Sequence, residues 1–344
     1  MKAAILTAPG NLVVKEVGTP PCPEGGLLVK TQACSICTTD AKMYHQGQRN
    51  LVYPRILGHE FSGVIAKSHT SSNSFEPGDR VQVAPGIGCG RCPACRRGTD
   101  NRCPHIGIFG FNYDGGFAEF VAIPERSVLG GGVNRIPEDT SFEEAALVEP
   151  LASCLNGQQQ AGITGGDTVL ILGAGPIGLL HARLARLKGA ARILIAERLV
   201  NRLETAELAG AERIIDLNRE STAEVVKEES DGRGVDVILL ACREAGLKHL
   251  LELLAPGGRM CLFSGLRAES AQGQLDANLI HYRELSITGA YGCTAAQNRA
   301  ALELIASGQI DVSRLITRRL SLDEIGKGLG YTGRREGLKA TIEF

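Results

Sequence analysis

Two rhythms of apolar and polar residues divide the chain. Over residues 1–150, short alternating runs recur: LVVKEV (12–17), LLVKTQA (27–33), GVIAK (63–67) and RVQVA (80–84). Turns rich in Pro and Gly, such as PCPEGG and EPGD, separate them. Side chains alternate across a strand, so period-two runs between turn residues predict a β-rich region.

From about residue 165 the rhythm changes. TVLIL (168–172), ARILIAE (191–197), ERIID (212–216), VDVILLA (235–241) and GGRMCLFSGL (257–266) are nearly continuous apolar runs. The helical stretches LLHARLARLKGA (179–190) and NRLETAELAGA (201–211) lie between the earlier runs, and another helical segment precedes the last. Buried strands alternating with helices predict a parallel, doubly wound α/β sheet. The final segment carries a helix near 295–307 and a closing strand at 338–343. Its pattern allows a return onto the first region.

Composition narrows the function classes. The chain has 344 residues, enough for two domains. Net charge is −1, with 43% hydrophobic and 22% charged residues. Nucleic-acid and membrane-surface partners normally need a basic excess, so neither is expected. MKAAILTAPG has no apolar run like that of a signal peptide, and no segment approaches the ~20 apolar residues of a span. A cytoplasmic location is the expectation. The eleven cysteines should then be thiols or metal ligands.

Three sets of residues carry candidate chemistry. The first is Gly173-Ala174-Gly175-Pro176-Ile177-Gly178, which follows TVLIL and opens a helix, with Glu197 ending the next strand. In this context Gly173 permits the tight turn. Gly175 lets backbone approach a pyrophosphate at the positive helix end, and Gly178 lets helix and strand pack closely. Glu197 would bond the adenosine ribose hydroxyls and repel a 2′-phosphate, favouring NAD. Arg198 beside it softens that preference and keeps NADP admissible. Arg202 completes the candidate cofactor contacts with Pro176 and Ile177.

The second set is Cys89, Cys92, Cys95 and Cys103. A bacterial iron–sulfur run reads C-x2-C-x2-C-x3-C-P. This stretch matches its start and its Cys103-Pro104 ending, but the last gap is too long. A nucleic-acid-binding zinc finger needs a basic recognition helix, and RRGTDNR is too short for one. The third set is scattered: Cys37-Thr38-Thr39-Asp40, Gly58-His59-Glu60 and Glu149-Pro150. Each alone is unremarkable.

In their order along the chain, these boxes resemble the zinc-dependent medium-chain dehydrogenase/reductase family. EPGDRVQV (76–83), GGFAEF (115–120) and a tail like those of sorbitol and threonine dehydrogenases extend the resemblance over nearly the whole length. It implies a GroES-like catalytic domain at 1–150, with a structural-zinc lobe at about 86–106. A Rossmann NAD-binding domain at 151–292 and a return segment at 293–344 would follow, with the active site between the domains. Family members are usually homodimers or homotetramers.

The resemblance also implies two zinc ions per chain. Cys37, His59, Glu60 and Glu149 would hold the catalytic one, and Cys89, Cys92, Cys95 and Cys103 the structural one. Four thiolates close the tetrahedron, whereas a catalytic site keeps a position open. Asp40 would fix the tautomer of His59. Thr39 would pass the substrate proton to the nicotinamide ribose, and Lys42 stands where relatives place the outer histidine of that relay. Cys34 forms a CxxC with Cys37, but the family box needs only Cys37.

The expected reaction is oxidation of a secondary alcohol to the ketone, and its reverse. The substrate would be a polyol or sugar alcohol, phosphorylated or not. HYRELSITGAYGCT (281–294) resembles the polyol group, yet Gly292 follows Tyr291 where sorbitol dehydrogenases carry an arginine. Asn156 stands where threonine dehydrogenases carry a histidine, so an L-threonine 3-dehydrogenase remains the alternative. Tyr44, His45 and Arg283 are candidate substrate contacts that read more readily as structural. A zinc-free reductase generally lacks both the cysteine lobe and the GHE box. A catalytically inactive NAD-binding protein would have lost ligands that are all present here.

Overall fold

A computed structural model describes residues 1–48, 51–70, 75–243, 246–266 and 275–344. The chain forms two compact units, Met1–Ala152 with Gly292–Phe344, and Ser153–Tyr291. The fold is a GroES-like unit plus a Rossmann-type unit.

The first unit is organised around one long strand, Leu27–Ile36. It pairs antiparallel with Glu60–Ser68, with Phe120–Ile123 and with Lys339–Glu343. The strand expected at 27–33 is buried over most of its length, with paired strands along both of its edges. It also runs on to Ile36, which delivers Cys37 to the end of the sheet. Arg80–Val83 and Val133–Arg135 extend the sheet beyond Glu60–Ser68. Beyond Lys339–Glu343 it continues into the parallel strand Ile316–Ser321. Phe61, Phe109, Phe117, Leu27, Ile36, Leu329 and Ile342 are buried in the core. The last two come from the return segment, so the chain's end closes this core.

In the second unit six parallel strands run in the order Arg213–Asp216, Arg192–Glu197, Thr168–Leu172, Val235–Leu240, Leu254–Leu262 and Ser286–Gly289. Order reverses beside Thr168–Leu172, and ligands of such sheets bind outside the strand carboxyl ends at that point. The helical stretch at 201–211 is two pieces, Val200–Ala206 and a 3-10 turn Glu207–Ala209, ended by Gly210 in the left-handed region. The strand expected at 257–266 is Leu254–Leu262. A register shift between Val235 and Val237 takes up Pro256 and Gly257 within the strand. Among the described residues no helix is long and apolar enough to cross a membrane.

Candidate active site and metal centres

Cys37 caps the helix Thr38–Gln46 directly after the central strand. Its backbone N–H donates to Asp40 Oδ2 at 2.9 Å. Asp40 is fully buried, and its Oδ1 accepts from the Gly58 N–H at 3.3 Å. The carboxylate therefore joins the cysteine box to the GHE box. His59 Nδ1 lies 3.3 Å from Asp40 Oδ1, close enough for charge attraction. Gly58 has φ +90, and a Cβ there would meet Cys34 Sγ at 2.8 Å and the Phe117 ring. Only glycine lets the turn that presents His59 pass so close.

Glu60 opens the strand Glu60–Ser68, where it pairs with Ser35. Two adjacent strands thus bring together boxes that are distant in sequence. One donor atom from each of Cys37, His59 and Glu60 lies within 4.8 Å of the others. Glu149, in the first turn of the helix Val148–Ala161, is not in this triad, although its charge acts on the same pocket. Thr39 is half-buried on the capped helix. Lys42 follows one turn later, with Nζ 3.3 Å from Gln48 Oε1. Cys34 is fully buried and lies outside the donor set.

Sequence reasoning missed Lys339. It is buried at the start of the strand Lys339–Glu343, with Nζ on Glu60 Oε2 and 3.3 Å from the Ile36 carbonyl. Burial pulls this ammonium towards neutrality. The charges of Glu60, Cys37 and Glu149 outweigh that pull and raise its pKa. The one sequence signal was a lysine opening the closing strand Lys339–Glu343. His59 is also pulled down by burial, yet Asp40 and then Cys37 hold its pKa well above the ordinary value.

In the lobe the donor atoms of Cys89, Cys92, Cys95 and Cys103 lie within 4.8 Å of one another. Cys103 Sγ accepts the N–H groups of Cys89 and His105, both at 3.4 Å, and Cys92 Sγ accepts that of Cys95 at 3.5 Å. Backbone donors from Arg91 and Cys92 lower the Cys89 pKa to about 6. Burial, then the Cys92 thiol, raises Cys95 to about 12. Backbone amides aimed at sulfur favour thiolate, the form that binds metal. Asp100 Oδ2 accepts the Ala295 N–H at 3.1 Å and ties the lobe to the helix Ala295–Ala306.

In the second unit Gly173 has φ +106, Gly175 caps the helix Pro176–Leu187, and Pro176 opens it. A Cβ on Gly178 would come within 1.8 Å of the Gly173 carbonyl oxygen, and one on Gly175 within 2.8 Å of Arg202 Nη1. Ile177 is half-buried, and its carbonyl accepts from Cys154 Sγ at 3.7 Å. The buried Glu197 carboxylate accepts three backbone N–H groups: Ala174 at 2.9 Å, Arg198 at 2.7 Å and Leu199 at 3.0 Å. Arg198 is exposed. The Arg283 guanidinium donates to the Glu252 and Leu254 carbonyls. Asn156 Nδ2 donates to the Tyr291 carbonyl at 3.5 Å.

Residues 23–132 match the alcohol dehydrogenase GroES-like domain, and residues 176–307 match the zinc-binding dehydrogenase domain. The sequence is 32% identical to sorbitol dehydrogenase of Bacillus subtilis, over 94% of this chain and 91% of that protein. It is 29% identical to L-threonine 3-dehydrogenase of Rhizobium rhizogenes, over 95% and 94%. The crystal structure of a zinc-binding dehydrogenase from Sinorhizobium meliloti bound to NADP superimposes with TM-score 0.92 and 34% identity, covering 100% and 99% of the two chains.

Proposed function

The chain belongs to the zinc-dependent medium-chain dehydrogenase/reductases, and from that premise we propose that it oxidises a secondary alcohol on a hydroxyl-rich skeleton, a polyol or sugar alcohol, to the ketone, and catalyses the reverse reduction, with NAD(P). The observation that carries this reading is the convergence of Cys37, His59 and Glu60 within 4.8 Å, beside the buried Asp40. Thiolate, imidazole and carboxylate are the donor types of a catalytic zinc, and three protein donors leave room for a substrate. Zinc bound there would supply Lewis acidity, lowering the pKa of a substrate hydroxyl.

The chain's own groups have separate tasks in this reading. Cys37, His59 and Glu60 hold the metal, and Glu149 is the further carboxylate of the pocket. Asp40 braces the Cys37 turn and the Gly58 turn that presents His59, and attracts His59 by charge, so both donors are held in place. Thr39 would relay the proton of the substrate hydroxyl, releasing its own to the nicotinamide ribose as it takes the substrate's. Lys42 lies one helical turn beyond Thr39, at the outer end of that relay, where its ammonium would give a proton to water as it receives one. The turn at 173–178 offers backbone amides and a helix N-terminus to the dinucleotide pyrophosphate. The four-cysteine lobe holds a structural zinc.

The sorbitol dehydrogenase relative supports the polyol reading. The threonine dehydrogenase relative supports the amino-alcohol alternative. The zinc-loaded protein should be screened with NAD and NADP against polyols, sugar-alcohol phosphates and amino alcohols. The largest kcat/KM should fall on a polyol or its phosphate. A best substrate among amino alcohols would select the alternative, and no turnover of any alcohol would overturn the dehydrogenase reading.

A further inference from the structure

We propose that Lys339 is a positioning residue that competes with the catalytic metal for the carboxylate of Glu60. It holds the donor pocket together when metal is absent and weakens the metal's hold when metal is present. This inference rests on reading Cys37, His59 and Glu60 as the metal donors.

The geometry is specific. Ile36 is the last residue of the central strand, next to Cys37, and Glu60 is the first residue of its neighbour. The single Lys339 ammonium bonds to the Ile36 carbonyl and to the Glu60 carboxylate, so it ties the two donor mounts together. Both side chains of the ion pair are almost wholly shielded from solvent, at 6% and 1% exposure. A buried ion pair rarely beats an apolar replacement on stability, because desolvating both charges costs as much as their attraction returns. Folding alone therefore gives little reason to place a lysine here.

Charge gives a better reason. Lys339 touches the Glu60 carboxylate and feels the charge of Glu149 and of Cys37, which binds metal as the thiolate. Without a cation, these like charges would push the pocket apart. A dication held by the same donors shares Glu60 with the ammonium. Both cations are drawn to one carboxylate and repel each other, so each lowers the other's hold. The coupling is reciprocal: removing the lysine must tighten the metal. The two cations together balance the thiolate and the two carboxylates, which leaves the metal less quenched than the full anionic set would.

The test uses the full-length protein as wild type, Lys339→Met and Lys339→Arg. Zinc is titrated away with a chromophoric chelator, and thermal unfolding is followed with and without zinc. Cys37→Ser identifies which of the bound zinc ions is the catalytic one. The metal-free methionine variant should melt below metal-free wild type, yet hold its catalytic zinc tighter, on the order of tenfold or more. Its zinc-induced rise in Tm should be the larger, and Lys339→Arg should return both readouts towards wild type. Lys339→Gln carries the same measurement if the methionine variant does not fold without metal. Equal losses of Tm with and without zinc, at unchanged affinity, would make Lys339 a structural residue only. A wild-type protein that holds one zinc, unaffected by Cys37→Ser, would instead remove the metal reading on which the inference rests.

Discussion

In the four-cysteine lobe every donor comes from residues 89–103, and short turns of backbone point amides at the sulfurs. In the Cys37, His59 and Glu60 cluster the donors come from the ends of two paired strands. A buried carboxylate from the Cys37 box itself and a buried ammonium from the closing strand brace them. The first cluster is built by its own loop and uses one donor type. The second exists only when the sheet is formed, and it mixes thiolate, imidazole and carboxylate. A uniform, local thiolate set suits a metal that folds a loop, and a mixed set with a counter-cation suits a metal that must exchange ligands.

The sharpest way to break this comparison is to remove one sulfur from each cluster. Cys37→Ser should lower kcat/KM by roughly a thousandfold or more, with dinucleotide binding unchanged in a fluorescence titration. Cys103→Ser should act on stability: it removes a buried donor and the acceptor of two backbone N–H groups, at a cost of about 3 kcal/mol or more by urea denaturation. Near-normal activity in Cys37→Ser, or an unchanged urea midpoint in Cys103→Ser, would undo the division of roles.

That difference in construction also explains what was legible in the sequence. The lobe announces itself because its donors are neighbours along the chain. The Gly-rich turn does too, since its strand, turn and helix are consecutive. The doubly wound class was readable because parallel strands are buried on both faces and give continuous apolar runs. The pairing of Cys37 with His59 could be reached only by resemblance, because strand pairing decides it. Lys339 could not be found at all: it lies 279 residues from Glu60, and a lysine opening a closing strand looks like an ordinary edge charge. The edge strand Ser286–Gly289 was missed because its end residues are exposed, its middle two are half-buried, and it carries no apolar run.

Two buried histidines sharpen the contrast between a group with partners and one without. Asp40 and Cys37 face His59, so its pKa is raised. In the metal-free protein this gives stability that is complete below the unfolded value of about 6.5 and is lost as pH rises through the folded value. Zinc binding runs the other way, because the imidazole must be neutral. Affinity at that site should therefore fall as pH is lowered in chelator titrations. His181 is wholly buried against Phe263, and neither ring nitrogen has a hydrogen-bond partner. Burial lowers its pKa to about 3. The unfolded chain binds that proton first, so stability should decline as pH falls from about 6.5 towards 3, by up to ~1.4 kcal/mol per pH unit. His181→Leu should flatten that slope in urea midpoints measured against pH. An identical slope in the variant would show that His181 titrates freely.

The smallest effect should come from the dinucleotide unit, where a carboxylate is held without any metal. Glu197 spends its oxygens on the N–H groups of Ala174, Arg198 and Leu199. It therefore shapes the turn, and in the dinucleotide reading it would also face the ribose. Two substitutions separate these tasks. Glu197→Gln keeps an acceptor oxygen for the turn and removes the charge that repels a 2′-phosphate, leaving the adjacent Arg198 guanidinium to attract one. The ratio of kcat/KM with NADP to that with NAD should rise by about tenfold, a change of ~1.4 kcal/mol. Glu197→Ala removes the acceptor too, so it should raise the same ratio while weakening both cofactors. If the ratio stays fixed in the glutamine variant, Glu197 acts on the turn alone, and cofactor choice lies with Arg198 and Arg202. If the alanine variant keeps wild-type affinity for both cofactors, the three backbone hydrogen bonds do not hold the turn, and the carboxylate acts by charge alone.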